Sequence, residues 1–176
     1  VDAFSKIWPR VSHLFEQGDG TYPDIFIEGL SPEQTVAIYQ WVMGRCSIYG
    51  DPDLWSIEQQ QNLPIKEVLD PAKAVVEGRS EGFRHGLLNF HIAGAELCGM
   101  TICVESKDCV SFDYVPGADW NEQSVAALFE LIGQINRMAP GARIYLADEG
   151  CHERPHAVFS DALQEYVEAR RSNLSF

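Results

Sequence analysis

The chain has 176 residues, 45% of them hydrophobic and 22% charged, a composition that builds a folded domain with its own core and excludes extended disorder. Its 13 Lys and Arg stand against 26 Asp and Glu, a formal net charge of −13. That balance lacks the basic footprint of a nucleic-acid or anionic-membrane binder, and any partner chosen by electrostatics is cationic.

Residues 3–17 have a helical period, with Phe4, Ile7, Trp8, Val11, Leu14 and Phe15 on one broad face, Pro9 as a kink and the glycines 18 and 20 as the stop. Asp24 to Glu28 reads as a strand. Ser31-Pro32-Glu33-Gln34 has the N-cap, first-turn proline and third-position Gln of a capping box, so a helix is expected from there to about Cys46. Asp51-Pro52-Asp53 is a turn, 54–61 is expected to be a short helix, and Asp70-Pro71 starts another.

Beyond the loop at 78–82, a possible half-domain boundary, the period changes to two. Strands are expected over 83–92, 97–105 and 109–115, forming an antiparallel meander with turns near Gly94 and Lys107. An amphipathic helix follows over 122–138, a strand over 143–147 and a last helix over 156–171. The class is α/β or, alternatively, α+β: one domain over 1–176 with a mixed sheet of about five strands and helices on its faces. Residues 32–39 echo 121–128, which suggests two halves related by a pseudo-twofold or merely two helix starts with similar caps.

The cysteines 46, 98, 103, 109 and 151 are odd in number and lack CxxC spacing, so reduced and mostly buried thiols are expected. No apolar run approaches the ~18 residues of a membrane span, and a cytoplasmic location is expected. The densest ligand-type cluster, Cys151-His152-Glu153-Arg154-Pro155-His156, supplies at most two zinc donors and has no second pair nearby in sequence; His85 and His91 are expected on one face of a separate strand. No nucleophile elbow, cysteine-protease signature or glycine-rich phosphate loop occurs, so no catalytic residue, metal or cofactor is assigned.

An interface is the better candidate. If strands 109–115 and 143–147 are parallel neighbours, the loops leaving their carboxyl ends share one sheet edge, where open α/β sheets bind ligands. Those loops carry Asp119 and Trp120, and Asp148, Glu149, His152 and Glu153. A second acidic turn holds Asp51, Asp53 and Trp55. Trp55 and Trp120 are either apolar anchors inside a charged rim or staples that pin loops to the core. In format the whole chain resembles the immunity proteins that bacteria keep against secreted antibacterial toxins. That resemblance implies an acidic cytoplasmic protein that occludes the basic active-site cleft of a toxin domain. A structural or regulatory module, including a homodimer, and a small hydrolase whose residues meet only in three dimensions are the alternatives.

Overall fold

In the computed structural model, which describes residues 4–173 apart from 17 and 19, the capping chemistry holds atom for atom. Ser31 Oγ accepts from Gln34 N–H while the Gln34 side chain accepts from Ser31 N–H, opening helix α2 (Pro32–Met43); helix α1 (Phe4–Val11) precedes it and contains Pro9. Asp70 caps helix α3 (Pro71–Val76). Asn121 and Ser124 form a second reciprocal box at helix α4 (Glu122–Met138), and helix α5 (Ala157–Asn173) closes the described chain. Each such cap satisfies backbone donors that the first helical turn leaves unpaired, worth about 1 kcal/mol.

The two boxes do not show the internal repeat. Their N-caps are Ser31 and Asn121, whereas the sequence echo aligns Pro32 with Asn121, so the echo is one residue out of register with the structure it seemed to repeat. The echoed positions nevertheless share burial: Thr35 and Ser124, Ile38 and Ala127, Tyr39 and Leu128, and Val42 and Leu131 are all buried. What the two segments share is cap chemistry and the spacing of their buried residues.

Six strands form the main sheet, in the order β10–β1–β9–β8–β5–β2, with every neighbour antiparallel. They are β1 (Asp24–Glu28), β2 (Ser47–Ile48), β5 (Phe83–Leu88), β8 (Met100–Ser106), β9 (Cys109–Tyr114) and β10 (Arg143–Ala147). The architecture is thus α+β, and the expected meander is its centre: β5, β8 and β9 are consecutive neighbours. The expected parallel pair is not one. β9 and β10 do point the same way, but β1 lies between them, antiparallel to both, and the sheet is not mixed.

Two other segments depart from expectation. Residues 54–61 are not helical: β3 (Asp53–Ser56) and β4 (Gln61–Pro64) form a hairpin whose turn places Gln60 at φ 53°. Alternate burial decides it, with Leu54 and Ser56 inward and Ser56 bridged to Ser80, so tertiary pairing overrides the helix propensity of the glutamines. The strand expected over 83–92 breaks at Asn89 (φ 55°), and a small hairpin of β6 (His91–Ile92) and β7 (Ala95–Glu96) leaves the sheet through the Ala93-Gly94 turn. His85 and His91 therefore do not share a strand: His85 is buried and His91 exposed.

All five helices contribute buried side chains to one hydrophobic cluster against one face of the sheet, including Phe4, Ile38, Val75, Phe129 and Phe159. The cluster takes the inward half of each alternating strand: Ile25 and Ile27, Val110, Phe112 and Tyr114, Met100, Ile102 and Val104. Residues on both sides of 78–82 belong to it. No helix is long and apolar enough to cross a membrane among the described residues.

Candidate functional site

The carboxyl ends of β9 and β10 do reach the same edge of the sheet, on either side of the start of β1. The β10–α5 loop folds there in two turns, with Cys151 N–H donating to Asp148 O and Arg154 N–H to Cys151 O. His156 Nε2 donates to Asp148 Oδ1 at 2.9 Å, and Glu149 accepts from Tyr22 N–H at 3.1 Å. Asp148, Glu149, Cys151 and His156 line an open cleft of about 620 Å³ together with His13 and Glu16. The arrangement sets carboxylates around a groove and does not activate a thiol: among the described residues no hydrogen bond joins Cys151 to a histidine, and no three His, Cys, Asp or Glu converge on a possible metal position.

Of the residues picked from sequence, Asp119, Asp148, Glu149, His152 and Glu153 are exposed at or near this edge. Trp120 is not an exposed anchor. Its ring is 5% exposed, packed at 5.0 Å from Tyr114 and 5.6 Å from Phe15, and its Nε1–H donates to Val115 O. It is a staple between the β9–α4 loop and the core. Asp51, Asp53 and Trp55 lie elsewhere. Trp55 O accepts from Glu81 N–H just before β5 begins, which puts the hairpin at the opposite edge, and Asp51 is paired with Lys66. The predicted residues therefore do not form one patch.

What the sequence reading missed is the second face of the sheet. The outward halves of the strands align in rows across it. One row runs Gly86, Thr101, Asp113, Asp24 and Ala147; the next runs Arg84, Cys103, Ser111, Phe26 and Tyr145. Tyr49 extends the first row, since its N–H donates to Gly86 O and its Cβ lies 3.1 Å from where a Cβ on Gly86 would stand. At the β10 end the face is closed: Phe26 stacks on Tyr145 at 5.3 Å, the Arg143 guanidinium covers Tyr145, and the His152 ring meets Phe26 edge-on. From β1 to β5 Gly86, Thr101, Cys103, Ser111, Asp113 and Asp24 floor it, with Ser111 and Asp113 buried and the others partly exposed.

This face is electrostatically unbalanced. The carboxylates of Asp24, Glu28, Glu105, Asp113 and Glu149 stand on or beside it, against the guanidiniums of Arg84 and Arg143. Burial first, then the carboxylates of Asp113, Glu105 and Glu149, push Asp24 up to about 6 against the pull of Arg84. Asp113 is also held above the usual carboxylate range by burial, although Arg84 lies 2.7 Å away and Thr101 hydrogen-bonds to it. Arg84 is 62% exposed, so water screens much of its compensation. Burial and the Glu105 carboxylate likewise raise Cys103, and push Cys109 up to about 12, which makes both thiols poor nucleophiles.

All five cysteines are free, but they are not mostly buried: Cys98 and Cys151 are exposed, and the other three are partly so. The signal for the missed face was present in the sequence as Asp24-x-Phe26-x-Glu28, Thr101-x-Cys103-x-Glu105 and Cys109-x-Ser111-x-Asp113. Reading it as one surface required the strand order. No protein family, curated protein or solved structure matches the chain.

Proposed function

We propose that the protein is an acidic binding protein that neutralises a basic partner by occlusion, in the manner of a cytoplasmic immunity protein holding a toxin domain. The observation that carries the reading is the surplus of carboxylates on the uncovered sheet face and its adjoining edge, where burial and then neighbours of its own sign raise Asp24. Concentrated negative charge costs folding energy and is relieved by a cationic surface, so complementary binding recovers what folding gives up. The absence of a thiol–histidine hydrogen bond at Cys151 gives the hydrolase alternative no comparable support.

Affinity capture from the source cell at low salt, elution with rising salt and mass spectrometry identify the partner. The reading predicts a protein with a basic domain whose activity the chain inhibits. Charge reversal at Asp119 and Asp148 then lowers the association rate and leaves dissociation nearly unchanged, because exposed charges act mainly on encounter. A captured partner that is acidic, or bound equally well in high salt, contradicts it.

A further inference from the structure

We propose that the uncovered face between β1 and β5 is the docking surface itself, and that it takes an extended basic polypeptide segment laid across the strands. One cationic side chain of that segment seats beside Asp24, Asp113 and Glu149, and Tyr49 flanks the segment at the other end. The inference rests on the preceding reading and specifies where and how the partner is held.

Three features lead to it. The row from Tyr49 to Asp24 has a low middle: Gly86 and Thr101 lie between a Tyr side chain that is 66% exposed at one end and a pair of carboxylates at the other. Four strand spacings of about 4.8 Å make it roughly 19 Å long, the span of five or six extended residues. Its charge selects the occupant. Asp24 is faced by Asp113 from β9, Glu105 from β8 and Glu149 from the β10–α5 loop, with Arg84 from β5 as the opposing cation. Asp113 is already paired with Arg84 at 2.7 Å, so an arriving guanidinium meets Asp24 with Glu149 beside it and supplies planar donor geometry for them. Its apolar contact is also built, since Leu88 on the same face and Tyr49 across Gly86 are exposed large side chains with no structural partner above them. An exposed aromatic at one end of the row, with carboxylates at the other, supplies the apolar anchor of an interface.

Seating a cation also moves a proton. The free protein holds part of its Asp24 population protonated near pH 6, and the bound form favours the carboxylate. Binding therefore releases that proton and weakens as pH falls.

The test uses octa-arginine as the probe with isotope-labelled protein, read by backbone amide NMR and by affinity at pH 7.5 and pH 5. The expected result is saturable binding with shifts concentrated on β1, β8, β9 and Tyr49. Affinity falls about tenfold between the two pH values through Asp24, and Asp24→Asn removes most of that fall. Tyr49→Ala weakens binding several-fold while leaving the spectrum dispersed, which shows that the fold is kept. Saturable binding that instead shifts the β3–β4 hairpin or α5, with the face silent, overturns this inference and leaves the proposed function standing. A pH dependence that survives Asp24→Asn intact overturns the seat. Absence of saturable binding at either pH counts against the cationic partner itself.

Discussion

On the helix-covered side of the sheet, Ile25, Ile27, Val110, Phe112 and Tyr114 are all 1% exposed or less. One residue along the same strands, on the other side, Asp24, Phe26, Glu28 and Cys109 are partly exposed, while the polar Ser111 and Asp113 are buried. The backbone ladder is common to both faces, so the difference comes from the side chains alone. The covered face is specified by apolar volume and pays nothing in charge; the uncovered one carries groups that repel each other and is tolerated because the ladder and the first face already fix the fold. On the proposed reading, stability and recognition divide between two sides of the same six strands, and substitutions on each should read out differently.

The largest effect is expected at Trp120. Its removal strips two aromatic contacts and a buried hydrogen bond, so Trp120→Ala should cost about 3–5 kcal/mol in chemical denaturation. Phe26→Ala, on the uncovered face, should cost no more than about 2 kcal/mol, since only Tyr145 and His152 stack on the ring. Equal losses at the two positions would erase the distinction between the faces.

Asp24→Asn should act in the opposite sense. The folded-state value of Asp24 is raised from 3.8 to about 6. Its favourable contribution is therefore full only below 3.8 and is lost as pH rises through 6, so the charged group destabilises at neutral pH. The substitution should raise stability at pH 7 by on the order of 1 kcal/mol, a figure discounted for the solvent screening of a half-exposed group. It should weaken partner binding in the same variant. A destabilised Asp24→Asn at pH 7 would mean the carboxylate is a structural element.

A buried histidine supplies the counterpart on the covered face. His85 is 3% exposed; its Nδ1–H donates to Gly86 O and its Nε2 accepts from the Tyr39 hydroxyl, so the neutral ring satisfies both neighbours. Burial lowers its folded-state value below 6.5. The stability it contributes is complete above 6.5 and eroded as pH falls from there through the lowered value. Wild type superimposes this loss on the gain from Asp24. The Asp24→Asn variant should thus lose stability more steeply than wild type between pH 6 and 4, and parallel curves would contradict the assignment.

The smallest effect concerns the thiols. A maleimide at pH 7 should label the exposed Cys98 and Cys151 well before Cys46, Cys103 and Cys109, whose thiols burial raises. Early labelling of Cys103 would show that the face opens more than its half-buried side chains indicate.

Local signals carried the fold a long way. Ser31 and Gln34, Asp70 and Pro71, and the span of α4 were all readable because caps and the 3.6-residue period act within a few residues. The 54–61 hairpin was not, because its decisive contacts, Leu54 in the core and Ser56 against Ser80, come from distant parts of the chain. The same holds for β1. Nothing in Asp24–Glu28 states that it inserts between β9 and β10, yet that insertion brings Asp24 opposite Asp113. The candidate site was legible as acidic residues at a strand edge, and its centre was hidden by strand order.

Carboxylate footprinting of the complex tests the central claim most directly. The captured partner is bound, exposed carboxyl groups are coupled to an amine with carbodiimide, and labelling is compared with the free protein by mass spectrometry. The account predicts strong protection of Asp24, Glu105 and Glu149, with Asp51, Asp53 and Asp161 labelled as before. Protection of Asp51 and Asp53 with Asp24 and Glu105 still fully labelled would place the partner on the hairpin and contradict it.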